Sequence, residues 1–132
     1  MKKLVIVLAV IAMAFGMTSC SKKGGATPTE ATQSYYEMLK KGDFKGAVQS
    51  TYGYNKEMTQ DEKDTANAML DMTASKIQEA MDAKGGMKEF ALSNEVINGE
   101  EATIDVKITY GNGEEEDKTE NLQMVGDRWF VK

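Results

Sequence analysis

Apolar and polar residues repeat with three different periods along this chain, and each period marks a region. From Leu4 to Phe15 the run LVIVLAVIAMAF carries no charge and comes after Lys2 and Lys3. A positive start before a short apolar run predicts a signal peptide over residues 1–19. A membrane-spanning helix needs about 20 apolar residues, and this run is shorter. After residue 26 the apolar positions recur every three or four residues, the period of a helix with one face covered. The first helix opens at Thr27-Pro28-Thr29-Glu30, a cap, a first-turn proline and a glutamate able to reach back, and Ala31, Tyr35, Met38 and Leu39 share its face. Gly42 stops it. A shorter helix starts at Asp43, carries Phe44, Ala47, Val48 and Thr51, and runs until Gly53. A long third one starts at the capping box Thr59 and Glu62, and its stripe is Ala66, Met69, Leu70, Thr73, Ile77, Ala80 and Met81, ending at Gly85-Gly86.

Past Gly86 the period falls to two. Phe90, Leu92 and Val96 share one face of a strand, and Ile104, Val106, Ile108 and Tyr110 share one face of the next. Asn98-Gly99, Gly111-Asn112-Gly113 and Gly126-Asp127 mark three turns, the last separating ENLQMV from RWFVK. Helices succeeded by short strands with tight turns predict an α+β fold, three N-terminal helices packed on a curved antiparallel sheet of three to four strands. Residues 27–132 are then a single domain of ordinary size, and no internal repeat is evident in the sequence.

Composition sharpens this picture in two places. The 132 residues hold one cysteine, Cys20, and no histidine. A lone cysteine allows no intramolecular disulfide, so the fold must stand on its core. Absence of histidine excludes a histidine base, a histidine-ligated metal and a serine-histidine pair. Charge matters too. Two of the 16 basic residues fall in the signal, so residues 20–132 carry 14 minus 21, or −7, against the −5 of the whole chain. No basic stripe stands ready to meet phosphates, which argues against nucleic acid as a partner.

Met17-Thr18-Ser19-Cys20 resembles the lipobox of bacterial lipoproteins, in which the cysteine is acylated and becomes the new N-terminus. The resemblance implies that Cys20 anchors the protein to a lipid bilayer and that residues 20–26, CSKKGGA, are a flexible tether. One acyl chain holds only marginally, and such proteins carry two or three. Ser21, with no aspartate after the cysteine, resembles lipoproteins sent to the outer membrane. Over residues 28–132, YYEMLKKGDFKGAV, the long helix, ATIDVKITYGNG and GDRWFVK are similar to small lipoproteins with the nuclear transport factor 2-like, or cystatin-like, fold, of the uncharacterised DUF4878/lumazine-binding-like type. That resemblance implies a cone of helices against a bent sheet, often with an apolar pocket, and often a homodimer through the sheet.

Enzymes of that fold, ketosteroid isomerase-like and dehydratase-like, place an acid, tyrosine or histidine in the cone. Here parity turns Asp105 outward beside Lys107, Asp71 lies opposite the third stripe, Asp43 caps a helix, and Glu114 to Asp117 form an exposed acidic hairpin tip. That tip lacks the alternating ligands of a cation loop. Asn94 shares parity with Phe90, Leu92 and Val96. It brings an amide to the covered face to orient a ligand, is paired within the core, or is rotated outward by a bulge. With Tyr35, Met69, Tyr110 and Trp129 it makes the candidate lining of a pocket for a small apolar ligand. No cofactor and no metal ligand set is expected. Two classes of function remain: an envelope lipoprotein that binds a small apolar molecule or a protein partner without catalysis, and an enzyme using carboxylate and tyrosine.

Overall fold

The computed structural model describes residues 24–132. The signal peptide, Cys20 and the first residues of the tether lie outside the described residues. Helices α1 (Pro28–Lys41), α2 (Phe44–Gln49), α3 (Tyr52–Asn55) and α4 (Gln60–Ala83) precede strands β1 (Met87–Asn98), β2 (Glu101–Tyr110), β3 (Glu115–Val125) and β4 (Arg128–Val131). The strands form one antiparallel sheet in the order β1-β2-β3-β4. The three expected turns fall between these strands.

Local chemistry sets the helix ends. The Thr27 hydroxyl accepts from Glu30 N at 3.1 Å, while the Glu30 carboxylate accepts from Ala26 N at 3.2 Å. Gly42 closes α1 in the left-handed region with φ 90°. Asp43 caps α2 by accepting from Gly46 N, and Thr59 and Glu62 form a reciprocal capping box on α4. The expected second helix is split in two. Ser50 and Thr51 turn their hydroxyls back onto the carbonyls of Ala47 and Val48, and Thr51 becomes extended and bridges Val131 of β4. A strand contact therefore interrupts what the spacing reads as one helix.

The core is the covered face of the sheet. Ile104, Val106, Leu122 and Val131 are almost wholly buried, and so is Tyr36 from α1. Ile77 and Met81 of α4 pack against this cluster, as do Phe90 and Leu92. In α4, Ala74 is buried while Met69 is 49% exposed, so the covered stripe is rotated from the expected one. In β1 the parity also fails. Ser93 pairs with Asp105 and Val96 with Thr103, so Asn94 and Glu95 together oppose Ile104. This is a β-bulge, and its extra residue moves the later side chains to the other face. Val96 is 50% exposed as a result.

The chain also meets itself near its two ends. Gly25 N donates to Trp129 O at 3.0 Å, and Trp129 N donates to Gly25 O at 2.8 Å. The expected tether extends to Ala26, yet Gly25 is buried and bridged to β4.

Candidate functional site

Pairing register decides which β3 side chains join the covered face. Ile108, Val106, Ile104 and Ala102 stand opposite Glu116, Lys118, Glu120 and Leu122. The first three of these β3 residues are charged and lie beside an apolar row. The acids find tyrosines. Tyr36, buried and delivered by α1, donates its hydroxyl to Glu120 Oε2. Tyr110, at the end of β2, donates to Glu116 Oε1 at 2.6 Å. Lys118 Nζ stands 3.6 Å from Glu120 Oε2, and the Glu120 side chain is only 12% exposed. Of the acidic run expected at a hairpin tip, Glu115, Glu116 and Asp117 already belong to β3, and Glu114 alone lies in the turn.

Aromatic rings surround the buried pair. Tyr35 meets Tyr36 edge-on with centroids 5.2 Å apart, and Phe90 tilts against Tyr36 at 5.5 Å. Burial raises the Tyr35 hydroxyl to a pKa of about 12, with the Glu120 charge adding to it. For Tyr36 burial again leads, then the bond to Glu120, and its pKa is pushed far up. Tyr110 is raised to about 12 by burial, then by its bond to Glu116 and by the charges of Glu116 and Glu114. Lys84 Nζ sits 4.7 Å from the Tyr110 ring centroid. All three phenols are thus held neutral, and Tyr36 and Tyr110 serve as donors.

The open face carries a second polar group. Asn94, in the left-handed region at φ 58°, donates through Nδ2 to Asp105 Oδ2 at 2.8 Å, and Thr119 Oγ1 donates to Asp105 Oδ1 at 2.8 Å. These two bonds lower the Asp105 pKa. Ser93, Asp105, Lys107, Asp117 and Thr119 line a cleft of about 360 Å³ here. Another cleft of about 360 Å³ is lined by Met38 of α1, by Asp43 and by Gln49 of α2. Among the described residues no group of three or more acids, histidines or cysteines is placed to hold a metal.

The five residues expected to line one pocket do not converge. Tyr110 and Trp129 are buried in the core cluster, and Tyr35 lies half-buried at its margin. Met69 is exposed on α4 because the helix buries Ala74 instead, and Asn94 is exposed because the bulge turns it to Asp105. Cys20 lies outside the described residues. The tyrosine–glutamate pairs escape a reading of the sequence. Tyr35 and Tyr36 fit the same helical stripe, and Glu120 lies 84 residues from its partner. The available signal is parity in β3, which sets Glu116, Lys118 and Glu120 in line with Leu122.

A curled antiparallel sheet with helices on its covered face defines an α+β domain. Residues 19–132 match the model of a domain of unknown function, DUF4878, and the chain belongs to that family. It resembles a crystal structure from Campylobacter jejuni, provisionally named an NTF2-like transpeptidase, with a TM-score of 0.62. The two are 18% identical, and the match covers 79% of this chain and 95% of that one, which shows a shared fold. No curated protein matches.

Proposed function

We propose that this is a cell-envelope lipoprotein, anchored through acylated Cys20 and sorted to the outer membrane, whose domain binds a protein partner on its outer surface without catalysis. One observation carries the binding mode. The covered face is filled by its own side chains, with Tyr36, Ile104, Val106 and Leu122 almost wholly buried and Glu120 and Glu116 bonded to tyrosines. A small apolar molecule would have to displace that packing, whereas Met69 and Met72 of α4 stand 49% and 56% exposed. Methionine is a common residue of adaptable protein-binding surfaces.

The test pairs two measurements on the protein in its native envelope. A photocrosslinking residue at position 69 or 72 should trap one protein partner, and the same residue at Gln78, on the opposite side of α4 from Met69, should trap it far less. Trp129 emission should stay unchanged when an apolar dye is titrated in. A dye response at Trp129 with no adduct at 69 or 72 would restore the small-molecule pocket instead.

A catalytic reading has one observation in its favour, the carboxylate of Glu120 between Tyr36 and Lys118 at the edge of the core. It requires turnover that Glu120→Gln abolishes in a folded protein.

A further inference from the structure

The two glycines before α1 are fixed by what surrounds them. A side chain at Gly24, which lies at φ +76°, would run into the Trp129 carbonyl and the Phe130 ring. One at Gly25 would strike the backbone of Glu30 and Ala31. Only glycine allows so close an approach. The contact that needs them is a two-bond bridge between Gly25 and Trp129, reinforced by Arg128 Nη2, which donates to Gly24 O at 3.1 Å. Phe130, turned away from the core cluster that Trp129 joins, is buried where Gly24 approaches its ring. The segment thus extends the sheet past β4, and the edge of β4 is covered by the start of the domain itself.

From Cys20 to Gly24 the chain takes four steps, which span at most roughly 14 Å when fully extended. The residues between are Ser21, Lys22 and Lys23. We propose that Gly24 and Gly25 form a latch that sets the β4 edge of the domain against the lipid headgroups, so that the anchored protein stands in one orientation instead of swinging on its tether. This rests on the reading of Cys20 as a lipid anchor.

Charge at the latch end is mixed, since Glu30, Glu100 and Asp127 lie near it, so the short reach of the chain carries the orientation. Lys22 and Lys23 follow Cys20 by two and three residues in the sequence, and anionic headgroups attract cations held near them. The acidic tip is kept away: Met124 pairs with Trp129, and Glu115 lies nine residues further along β3, roughly 30 Å at the ordinary strand rise. The end of the sheet carrying Glu114 to Asp117 is therefore distant from the latch, and so is the loop joining α4 to β1, whose Lys84 pairs with Glu114.

Trp129 is the sole tryptophan of the chain and sits in the latch, so it reports its own distance from the membrane. Full-length lipidated protein would be reconstituted into phosphatidylethanolamine–phosphatidylglycerol vesicles containing a dansyl headgroup lipid, and energy transfer from Trp129 measured. Wild type should transfer strongly. Inserting about ten Gly/Ser residues between Lys23 and Gly24, a coil reaching roughly 17 Å, should lower the transfer about twofold or more while leaving the latch closed. Gly25→Val should lower it by opening the latch, with circular dichroism checking the fold. If that variant fails to fold, the insertion still decides. Protein that floats with the vesicles but transfers weakly, with no change on insertion, overturns the latch alone. A mature chain with no acyl mass on Cys20 and no flotation overturns the anchor reading and the latch with it.

Discussion

Phenols that resist ionisation organise the covered face. Tyr36 gives its proton to a bond with Glu120, Tyr110 gives its own to Glu116, and Tyr35 lies against Tyr36 with no room for charge. The folded pKa of each lies above the ordinary value near 10, so above that pH the folded state holds protons that the unfolded chain has released. The stabilisation is complete below pH 10 and is lost as pH rises through 10 toward 12 and beyond. Phenolate absorbance should therefore develop late for these three and coincide with alkaline unfolding. Titration of all the tyrosines near their ordinary pKa with the fold intact would contradict the burial described. Tyr36→Phe removes one donor and leaves Glu120 with Lys118. It should cost about 1 to 3 kcal/mol, measured by urea unfolding, because a mostly buried carboxylate loses its bond.

Between helices and strands, the joints are tighter than the pieces they join. The turn between β2 and β3 docks on the link between α4 and β1: Gly111 N donates to Gly86 O at 2.7 Å, and Asn112 N donates to Lys84 O at 3.0 Å. A Cβ at Gly111 would overlap the Gly85 carbonyl, which is backbone and cannot turn aside. Gly111→Ala should then cost about 1 to 3 kcal/mol and lower the thermal midpoint, whereas alanine in open space would not. Such joints explain which features are legible in the sequence. Thr27, Gly42, Asp43, Thr59 and the glycine turns act on neighbours a few residues away, and their chemistry is written locally. The bulge at Asn94 stays an open alternative in the sequence because nothing local demands it. It turns Asn94 outward, where its amide donates to Asp105, a partner on the next strand eleven residues away. The exposure of Met69 is hidden for a related reason: α4 carries overlapping apolar stripes, and only its packing partners choose between them. The pairing of Tyr36 with Glu120 depends on register across three strands and a helix, which no short window contains.

At the scale of the whole molecule, no helix among the described residues is long and apolar enough to cross a membrane. Attachment under the proposed reading then depends on one sulfur. Cys20→Ala should move the protein out of the membrane fraction, and equal retention after a salt wash would refute the lipid anchor. The bridge between Gly25 and Trp129 also imposes an order of events. A chain made from its N-terminus delivers Gly25 first and the last strand last, and α1 too packs on β4. The earliest residues of the domain must therefore wait, unpaired, for the latest. Until β4 is made the chain holds the cover without the edge that it closes. Completion of the fold is thus timed by the topology itself, with β4 closing what Gly25 leaves open.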